Sequence, residues 1–378
     1  MASHNGPSST ALPSSSAAGA ESAAAPETGT SNSTLPAHVD LAIGGEDDLD
    51  SAYGGSEGSE GSGMSASLAS TVSDYVYENG RRYHRYREGA YALPNDEQEQ
   101  ERLDMLHHIF RLILKGALYK SPVSSAHHVL DIGTGTGLWA LDFADEHPSA
   151  EVLGTDLSPI QPTWTAPNCR FMVDDAESEW AYPPSRPFDY IHQRNMVGSI
   201  SDWEALFRQA YRNLAPGGWF EAQEFDVWFH SQGSPLPEDN PVVEWARLLD
   251  EASQQFGKRL NCVAEMKEAF EKVGFVDVAH DIFKVPIGKW PKAKEAKELG
   301  MYLQAQMFDS VEAVSMAYFT RVLEWSKEQT LVFTSQVRKE FADDRKQLYV
   351  YCHFLRGRKP EQDQRPEQRQ EQEQATEG

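Results

Sequence analysis

The sequence predicts an α/β fold: a Rossmann-like, doubly wound, seven-stranded sheet with an N-terminal helical lid and a C-terminal helical insertion. Three observations support this prediction. From about residue 128 to residue 225, short apolar runs alternate with amphipathic stretches, which is typical of strands joined by crossover helices. A glycine-rich turn follows the first apolar run, and acidic residues end the next two. Two later strands, separated by helices, are expected to close the sheet as an antiparallel pair.

The glycine-rich turn lies in VLDIGTGTGLWALDFA, residues 129–144. Its glycines let a ligand lie against the backbone, and the helix that follows presents unpaired N–H groups. A dinucleotide fingerprint reads GxGxxG, but Leu138 occupies the place of the third glycine. Asp131 would repel a pyrophosphate and attract an ammonium group. The turn therefore favours S-adenosylmethionine over NAD or ATP, and the alternative is a tight turn that binds nothing.

Composition limits the folded part of the 378-residue chain. The first 70 residues contain no Lys or Arg and are rich in Ser, Ala and Gly, and the last stretch is rich in Glu, Gln and Arg. Such segments bury too little apolar surface to offset the entropy of ordering. The expected organisation is disordered tails over 1–72 and 359–378, an arm with a lid helix over 73–126, and a main domain over 127–358. Within that domain we expect a cofactor-binding core over 127–228, a helical cap with one strand over 240–345, and a last strand over 347–357.

A net charge of −24 and a pI near 4.9 argue against direct nucleic-acid binding. The chain has no apolar run near the ~20 residues of a membrane span, and its N-terminus lacks the pattern of a signal peptide. Three widely spaced cysteines fit a reducing compartment, so we expect a cytoplasmic or nuclear protein. The basic cluster over 81–87 is either an import signal or a solvated or cofactor-facing segment. The histidine pairs at 107–108 and 127–128 lack metal-ligand spacing, so no metal is expected.

Upstream of the first strand, aromatic residues and arginines alternate over residues 75–91, which is too aromatic for a linker. A helix is predicted from residue 95 or 96, where Asn or Asp can cap it, up to Gly116. We expect the arm and helix to fold over the cofactor as a lid. The lid or substrate candidates in this part are Arg82, Tyr83, Tyr91 and His108.

Acidic residues stand where the second and third strands end. Asp156 ends the strand EVLGTD and lies 156 − 137 = 19 residues past the last glycine, close to where an acid meets ribose hydroxyls. A helix or turn cap is the alternative role. Asp175 ends the third strand, at residues 169–177, and can accept a hydrogen bond from an adenine amino group. The residues expected at the nucleoside are Asp156, Leu157, Asp175 and Ala176.

The fourth strand, residues 188–193, carries His192, Gln193 and Arg194 at its carboxyl end, where ligands of parallel sheets bind. His192 is the candidate general base because its ordinary pKa lies near neutrality, with a structural hydrogen bond as the alternative. His107 and His108 come next as bases, against helix packing. Gln193 and Arg194 are expected at the cofactor. The fifth strand, residues 219–225, adds Trp219 and Glu221 as substrate candidates.

Beyond the fifth strand the alternation relaxes. Helices are predicted over 241–256, 263–273, 293–308, 311–325 and 326–341, with strands around 275–285 and 347–356.

Taken in order, these features resemble class I S-adenosylmethionine-dependent methyltransferases. More narrowly, the chain resembles the fungal LaeA-like methyltransferases of secondary metabolism. The segments that support this are YVYENGRRYHRY, YALPNDEQEQERLDMLHH, VLDIGTGTGLWALDFA, FDYIHQRNMVGSISDW, LAPGGWFEAQE and PIGKWPKAKEAKELG, with RGRKP near the end. The match spans about residues 75–360. The sequence differs from the family pattern at Lys289 and Ala293. This difference affects the expected acceptor surface more than the cofactor site.

The resemblance implies that Asp131, Gly133, Gly135 and Gly137 hold the methionine part of the cofactor. It implies methyl transfer by in-line displacement to a small molecule or a protein side chain, and it designates no catalytic base. An alternative is a regulator whose cofactor fold serves mainly partner binding in a transcription-regulating complex. A nucleotide-dependent oxidoreductase is a third hypothesis, which Leu138 disfavours. No membrane partner is expected.

Overall fold

The computed structural model describes residues 41–42, 75–84, 89 and 91–361. The expected N-terminal tail lies outside the described residues, apart from Leu41–Ala42. The expected C-terminal tail also lies outside them beyond residue 361. Lys359 is buried and donates from Nζ to the carbonyl of Leu214 at 2.8 Å, so the packed chain extends through this residue.

The described strands are β1 (Leu41–Ala42), β2 (Tyr75–Glu78), β3 (Arg81–His84), β4 (His128–Ile132), β5 (Glu151–Asp156), β6 (Cys169–Val173), β7 (Phe188–Arg194), β8 (Leu214–Ser231), β9 (Val276–Pro286) and β10 (Leu348–Arg358). The described helices are α1 (Glu97–Ile113), α2 (Leu138–Glu146), α3 (Trp203–Asn213), α4 (Pro241–Phe256), α5 (Met266–Val273), α6 (Lys294–Ala317) and α7 (Lys327–Phe341). A π-helical turn, Tyr318–Val322, extends α6.

The main sheet has the strand order β1-β6-β5-β4-β7-β8-β10-β9. Strands β4 to β8 pair in parallel with one another, whereas β1 is antiparallel to β6, and β10 lies antiparallel between β8 and β9. The chain goes outward from β4 to β6 and then returns to the other side of β4 at β7, so the topological switch point lies at the carboxyl end of β4. The doubly wound sheet and its closing antiparallel pair are confirmed.

The arm before the sheet is a hairpin of β2 and β3, although its sequence shows no clean periodicity. Asn79 and Gly80 at its tip both have positive φ, 55° and 88°, as a two-residue hairpin turn requires. Arg81 donates to Asp96 at 2.6 Å, and Arg82 donates to Glu97 at 2.9 Å. The first two arginines of the basic cluster therefore fasten the hairpin to the start of α1.

Asp96, one of the two predicted caps, caps α1 by accepting a hydrogen bond from the N–H of Glu99 at 3.0 Å. The predicted break in the cap near residue 310 is wrong, because α6 runs without interruption from Lys294 to Ala317. Ser310, which lies between the two predicted helices, is buried and accepts a hydrogen bond from Arg102 at 3.3 Å. Tertiary contact, rather than helix propensity, decides the backbone here.

Strand β8 is longer than the predicted strand over 219–225. It continues to Ser231 because β10 pairs with it along its length, from Trp219 opposite Arg358 to Ser231 opposite Leu348. Its extension forms one wall of the space beneath the cap helices.

All three cysteines are unpaired and buried. Within the described residues, no helix is long and apolar enough to cross a membrane.

Candidate functional site

A cavity of about 1130 Å³, measured to its open mouth, lies at the switch point. Its described walls come from the turn after β4, the ends of β5, β6 and β7, and one face of α1. Ligands of open parallel sheets bind at this place because the helix N-termini and strand ends converge there. The fold thus brings together the strand ends that the sequence singled out.

The three glycines of the turn have separate geometric tasks, although all have positive φ. A Cβ on Gly133 would lie 2.1 Å from the Met196 sulfur, and one on Gly137 would lie 2.5 Å from the Phe171 ring. A Cβ on Gly135 would meet only Leu103, at 3.5 Å, and Gly135 lines the cavity. Gly135 therefore leaves room for a ligand, whereas Gly137 does not line the cavity and allows the turn to pack on the sheet.

Asp131, at the end of β4, is buried and faces a histidine from the neighbouring strand. Its Oδ1 lies 2.7 Å from Nδ1 of His192, and its Oδ2 accepts from the Thr134 hydroxyl at 2.6 Å. The His192 ring lies flat on Trp139, with centroids 3.7 Å apart and planes 4° apart. These contacts hold Asp131 in place at the start of the turn.

This geometry favours the structural alternative for His192 over the predicted base role. Its side chain is fully buried, and one ring nitrogen is occupied by Asp131. A general base must come within hydrogen-bond reach of the acceptor's proton. Through Nδ1 His192 acts as a positioning residue for Asp131. His192 also lines the cavity, and its Nε2 has no hydrogen-bond partner among the described residues, so the base role stays a prediction.

Asp156 lies at the end of β5 and is almost enclosed by backbone donors. It accepts from the N–H of Gly135 at 2.9 Å and from the N–H of Ser158 at 2.9 Å. Burial raises the pKa of Asp156 and outweighs these hydrogen bonds, which lower it, so that the pKa is about 6. The carboxylate still lines the cavity beside Leu157, where acceptors for ribose hydroxyls are expected.

Asp175 and Ala176 follow β6 and also line the cavity. The Asp175 carboxylate accepts from the N–H of Glu177 at 2.9 Å, which fixes the loop around it. Their predicted place beside the adenine stays a prediction.

Arg194, at the end of β7, lines the same cavity. Its guanidinium lies 4.8 Å over the Phe110 ring and donates to Nδ1 of His107 at 3.1 Å. Burial lowers the pKa of Arg194 to about 10 and that of His107 to about 4, so His107 is a neutral partner. Among the described residues no carboxylate lies within ion-pair distance of Arg194. Its charge is thus available to a ligand.

Three predicted strand residues do not reach the cavity. Gln193 is buried and donates to Glu224 at 2.9 Å. Glu221 is buried and accepts from the N–H of Ser121 at 2.7 Å, which fastens the segment that leads into β4. Trp219 packs against the apolar cluster around Trp139. Gln193 points away from the face of His192 and Arg194, because neighbouring side chains in a strand point to opposite faces. Glu221 and Trp219 lie on the same face as His192, but the contacts to Ser121 and to the Trp139 cluster hold their side chains away from the cavity.

Of the lid candidates, Tyr91 alone lines the cavity among the described residues. Arg82 bonds Glu97 and lies over Tyr75. Tyr83 is buried beneath Arg321, with 4.8 Å between the guanidinium and the ring. His108 is exposed and meets Tyr302 edge to face. These three hold the hairpin and α1 in place or face outward, rather than contacting a ligand.

Sequence reasoning missed several residues of the lid helix. Asn95 lines the cavity and donates to the Ser158 hydroxyl at 3.2 Å, which joins the lid to the end of β5. Glu99 and Leu103 line the cavity from the first turns of α1. The helical spacing of Leu103 indicated an inward face, and Glu99, one turn earlier, shares that face.

Within the described ranges, no group of three or more His, Cys, Asp or Glu side chains is arranged to hold a metal ion.

The parallel sheet, the turn with its three positive-φ glycines, and the acids at the ends of β5 and β6 together define a class I S-adenosylmethionine-dependent methyltransferase. Comparison with known proteins agrees: residues 97–280 match the family model described as a methyltransferase domain.

Relatives narrow the assignment. Methyltransferase pytC of Aspergillus terreus is 42% identical over 276 residues, covering 72% of this chain and 85% of that protein. Secondary metabolism regulator LAE1 of Cochliobolus heterostrophus is 35% identical over 297 residues, covering 77% and 96%. Secondary metabolism regulator laeA of Aspergillus flavus is 34% identical over 302 residues, covering 78% and 80%. The chain belongs to this family of fungal LaeA-like methyltransferases.

Proposed function

We propose that the chain methylates a small-molecule acceptor in fungal secondary metabolism and that its cavity residues hold the methyl donor as follows. Asp156 accepts from the ribose hydroxyls, and Asp175 with Ala176 borders the adenine. Arg194 pairs with the carboxylate of the methionine part, and Asp131 faces its ammonium group. The observation that supports this most is that one cavity holds carboxylates at the ends of β5 and β6 and, at the end of β7, the Arg194 guanidinium, which has no ion-pair partner among the described residues.

The residues present fit this cofactor. Gly135 leaves space against the backbone that a side chain would fill. Gln161 donates to the Gly135 carbonyl at 2.6 Å, which keeps the turn rigid before a ligand arrives. A pyrophosphate would meet the buried Asp131 and Asp156 without a lysine in the turn, so a dinucleotide or ATP fits poorly.

When bound, the cofactor supplies a methyl group on a sulfonium that is already an activated leaving group. An acceptor's lone pair would form the new bond to the methyl carbon, and the electron pair of the broken carbon–sulfur bond would stay on sulfur. The chain's own task is to align the two partners and exclude water, and proximity of this kind supplies about 7 to 11 kcal/mol. The cavity wall from α1, which Asn95 ties to Ser158, covers the reacting groups.

Calorimetric titration of the full chain with S-adenosylmethionine and S-adenosylhomocysteine tests the proposal. Arg194→Met should weaken S-adenosylmethionine binding by about tenfold, because the carboxylate loses a charge-assisted partner. Arg247→Met is the matched control and should leave binding unchanged, since the one ion pair of Arg247 within the described residues is with Glu251 on the exposed face of α4. Absence of binding to the folded wild-type chain would refute the proposal.

A further inference from the structure

A second cavity of about 890 Å³ lies beneath the cap, next to the first. Its described walls are α1, the extension of β8, α4 and α6. The two cavities share three residues, Tyr91, Leu106 and Asn195, so they meet where α1 faces the end of β7. A molecule in the second cavity could thus reach the methionine end of the first.

The lining of the second cavity is mainly apolar. The polar groups of two aromatic lining residues are already hydrogen-bonded within the protein. The Trp245 indole donates to Ser315 at 2.7 Å, and the Tyr318 hydroxyl donates to the Gly198 carbonyl at 3.3 Å. The aliphatic part of the lining includes Leu249, Leu260, Leu303, Met307 and Val314. A mainly apolar lining with a few polar groups is typical of small-molecule sites.

The charges in this cavity select against an anion. Arg102 is the one basic residue of the described lining, and its guanidinium already holds Glu99 at 2.6 Å and 2.9 Å. Asp226 is the one acidic residue of that lining. It accepts from the N–H groups of Val227 and Trp228 through the same oxygen, Oδ1, and no basic side chain of the described chain forms an ion pair with it.

The cavity is also deep. None of its described lining residues is exposed, and most of those on α4 and α6 are buried. A peptide segment would need an open groove for its polar backbone, whereas a compact molecule can be enclosed when the lid closes.

We propose that this cavity is the acceptor site and that it takes a neutral, mainly apolar small molecule whose O–H or N–H group faces Asp226. The inference rests on the proposed function and adds the class of substrate. On transfer, the acceptor's oxygen or nitrogen gains the methyl group, sulfur keeps the electron pair of the broken bond, and the acceptor's proton passes to the Asp226 carboxylate. Tyr91, one of the three residues common to both cavities, stands between donor and acceptor.

The test uses the full chain saturated with S-adenosylhomocysteine and the neutral fluorophore Nile red. We expect saturable binding with blue-shifted emission. Met307→Trp with Val314→Phe fills the cavity from one face of α6 and should weaken dye binding by about tenfold. Met301→Trp with Tyr302→Phe changes the exposed face of the same helix and should leave it unchanged. Both variants should retain wild-type affinity for S-adenosylhomocysteine, which also shows that they are folded.

Displacement of the dye tests the charge of the acceptor. Neutral 1-naphthol should displace Nile red at a concentration about tenfold lower than the anion 1-naphthoate does, and Asp226→Asn should narrow that gap because a like charge is removed. The acceptor assignment would be overturned if both compounds displaced the dye equally or if a lysine peptide displaced it instead. It would also be overturned if the Met307→Trp, Val314→Phe variant bound the dye as tightly as the wild type. Failure to bind S-adenosylhomocysteine would be seen separately and would count against the proposed function itself.

Discussion

Replacement of Gly137 by alanine tests how the cofactor turn is packed, because the chain contains a natural control. Gly137 has φ 84° and ψ 1° at the start of α2, and Gly257 has φ 86° and ψ 6° at the end of α4. A Cβ on Gly257 would meet nothing within 4 Å, whereas one on Gly137 would lie 2.5 Å from the Phe171 ring. The same ring would lie 2.7 Å from a Cβ on Gly154, so it has no room to move aside.

The expected cost follows from these contacts. An alanine with this backbone conformation costs about 1–2 kcal/mol relative to glycine, and restriction of the unfolded chain returns about 0.4–1 kcal/mol. Gly257→Ala should therefore lower the free energy of unfolding by roughly 1 kcal/mol. Gly137→Ala adds a forced displacement of Phe171 worth about 1–3 kcal/mol, for a total of roughly 2–4 kcal/mol.

Urea unfolding followed by tryptophan fluorescence measures both variants. Combining Gly137→Ala with Phe171→Leu should recover part of the loss, because the smaller side chain vacates the space, and the double-mutant cycle isolates that coupling. Equal destabilisation of the Gly137 and Gly257 variants would refute the steric argument.

Three further outcomes follow from buried polar groups. Ribose hydroxyls donate to the Asp156 carboxylate and lower its pKa from about 6, so calorimetry should show full S-adenosylhomocysteine affinity above pH 6 and a decline below it. Asp156→Asn should bind about tenfold more weakly without that decline, and an identical profile would contradict the assignment. His192→Phe leaves Asp131 without one partner and should lower the free energy of urea unfolding by about 1–3 kcal/mol; unchanged stability would show that the pair is dispensable. Arg102→Met leaves the buried Glu99 with only the 4.0 Å contact to Arg81 among the described residues, at a cost of up to about 3–5 kcal/mol in the same assay. Adding Glu99→Gln should restore part of the lost stability, and purely additive losses of stability in the double variant would contradict a buried ion pair.

The parts of the site that sequence predicts well have short-range causes. Strand β4, its glycine turn and α2 occupy consecutive residues, and Asp156 and Asp175 were found because strand ends meet at one edge of a parallel sheet. Helix α4 has the predicted bounds because Asn240 caps it, Pro241 begins it and Gly257 ends it.

The parts that sequence missed depend on distant residues. His192 has an ordinary base's chemistry, and only the register that sets it beside Asp131, 61 residues away, gives it a structural role. The Glu221 carboxylate is held away from the cavity by a hydrogen bond from the N–H of Ser121, 100 residues earlier. No local pattern in the chain encodes either contact.

The most direct test of the account is a crystal structure of the full chain with S-adenosylhomocysteine. The account predicts adenine beside Asp175, ribose hydroxyls on Asp156, and the sulfur where the two cavities meet, near Tyr91 and Asn195. A ligand in the reverse orientation, with its sulfur at the Asp175 end, or a ligand bound outside this cavity, would contradict it.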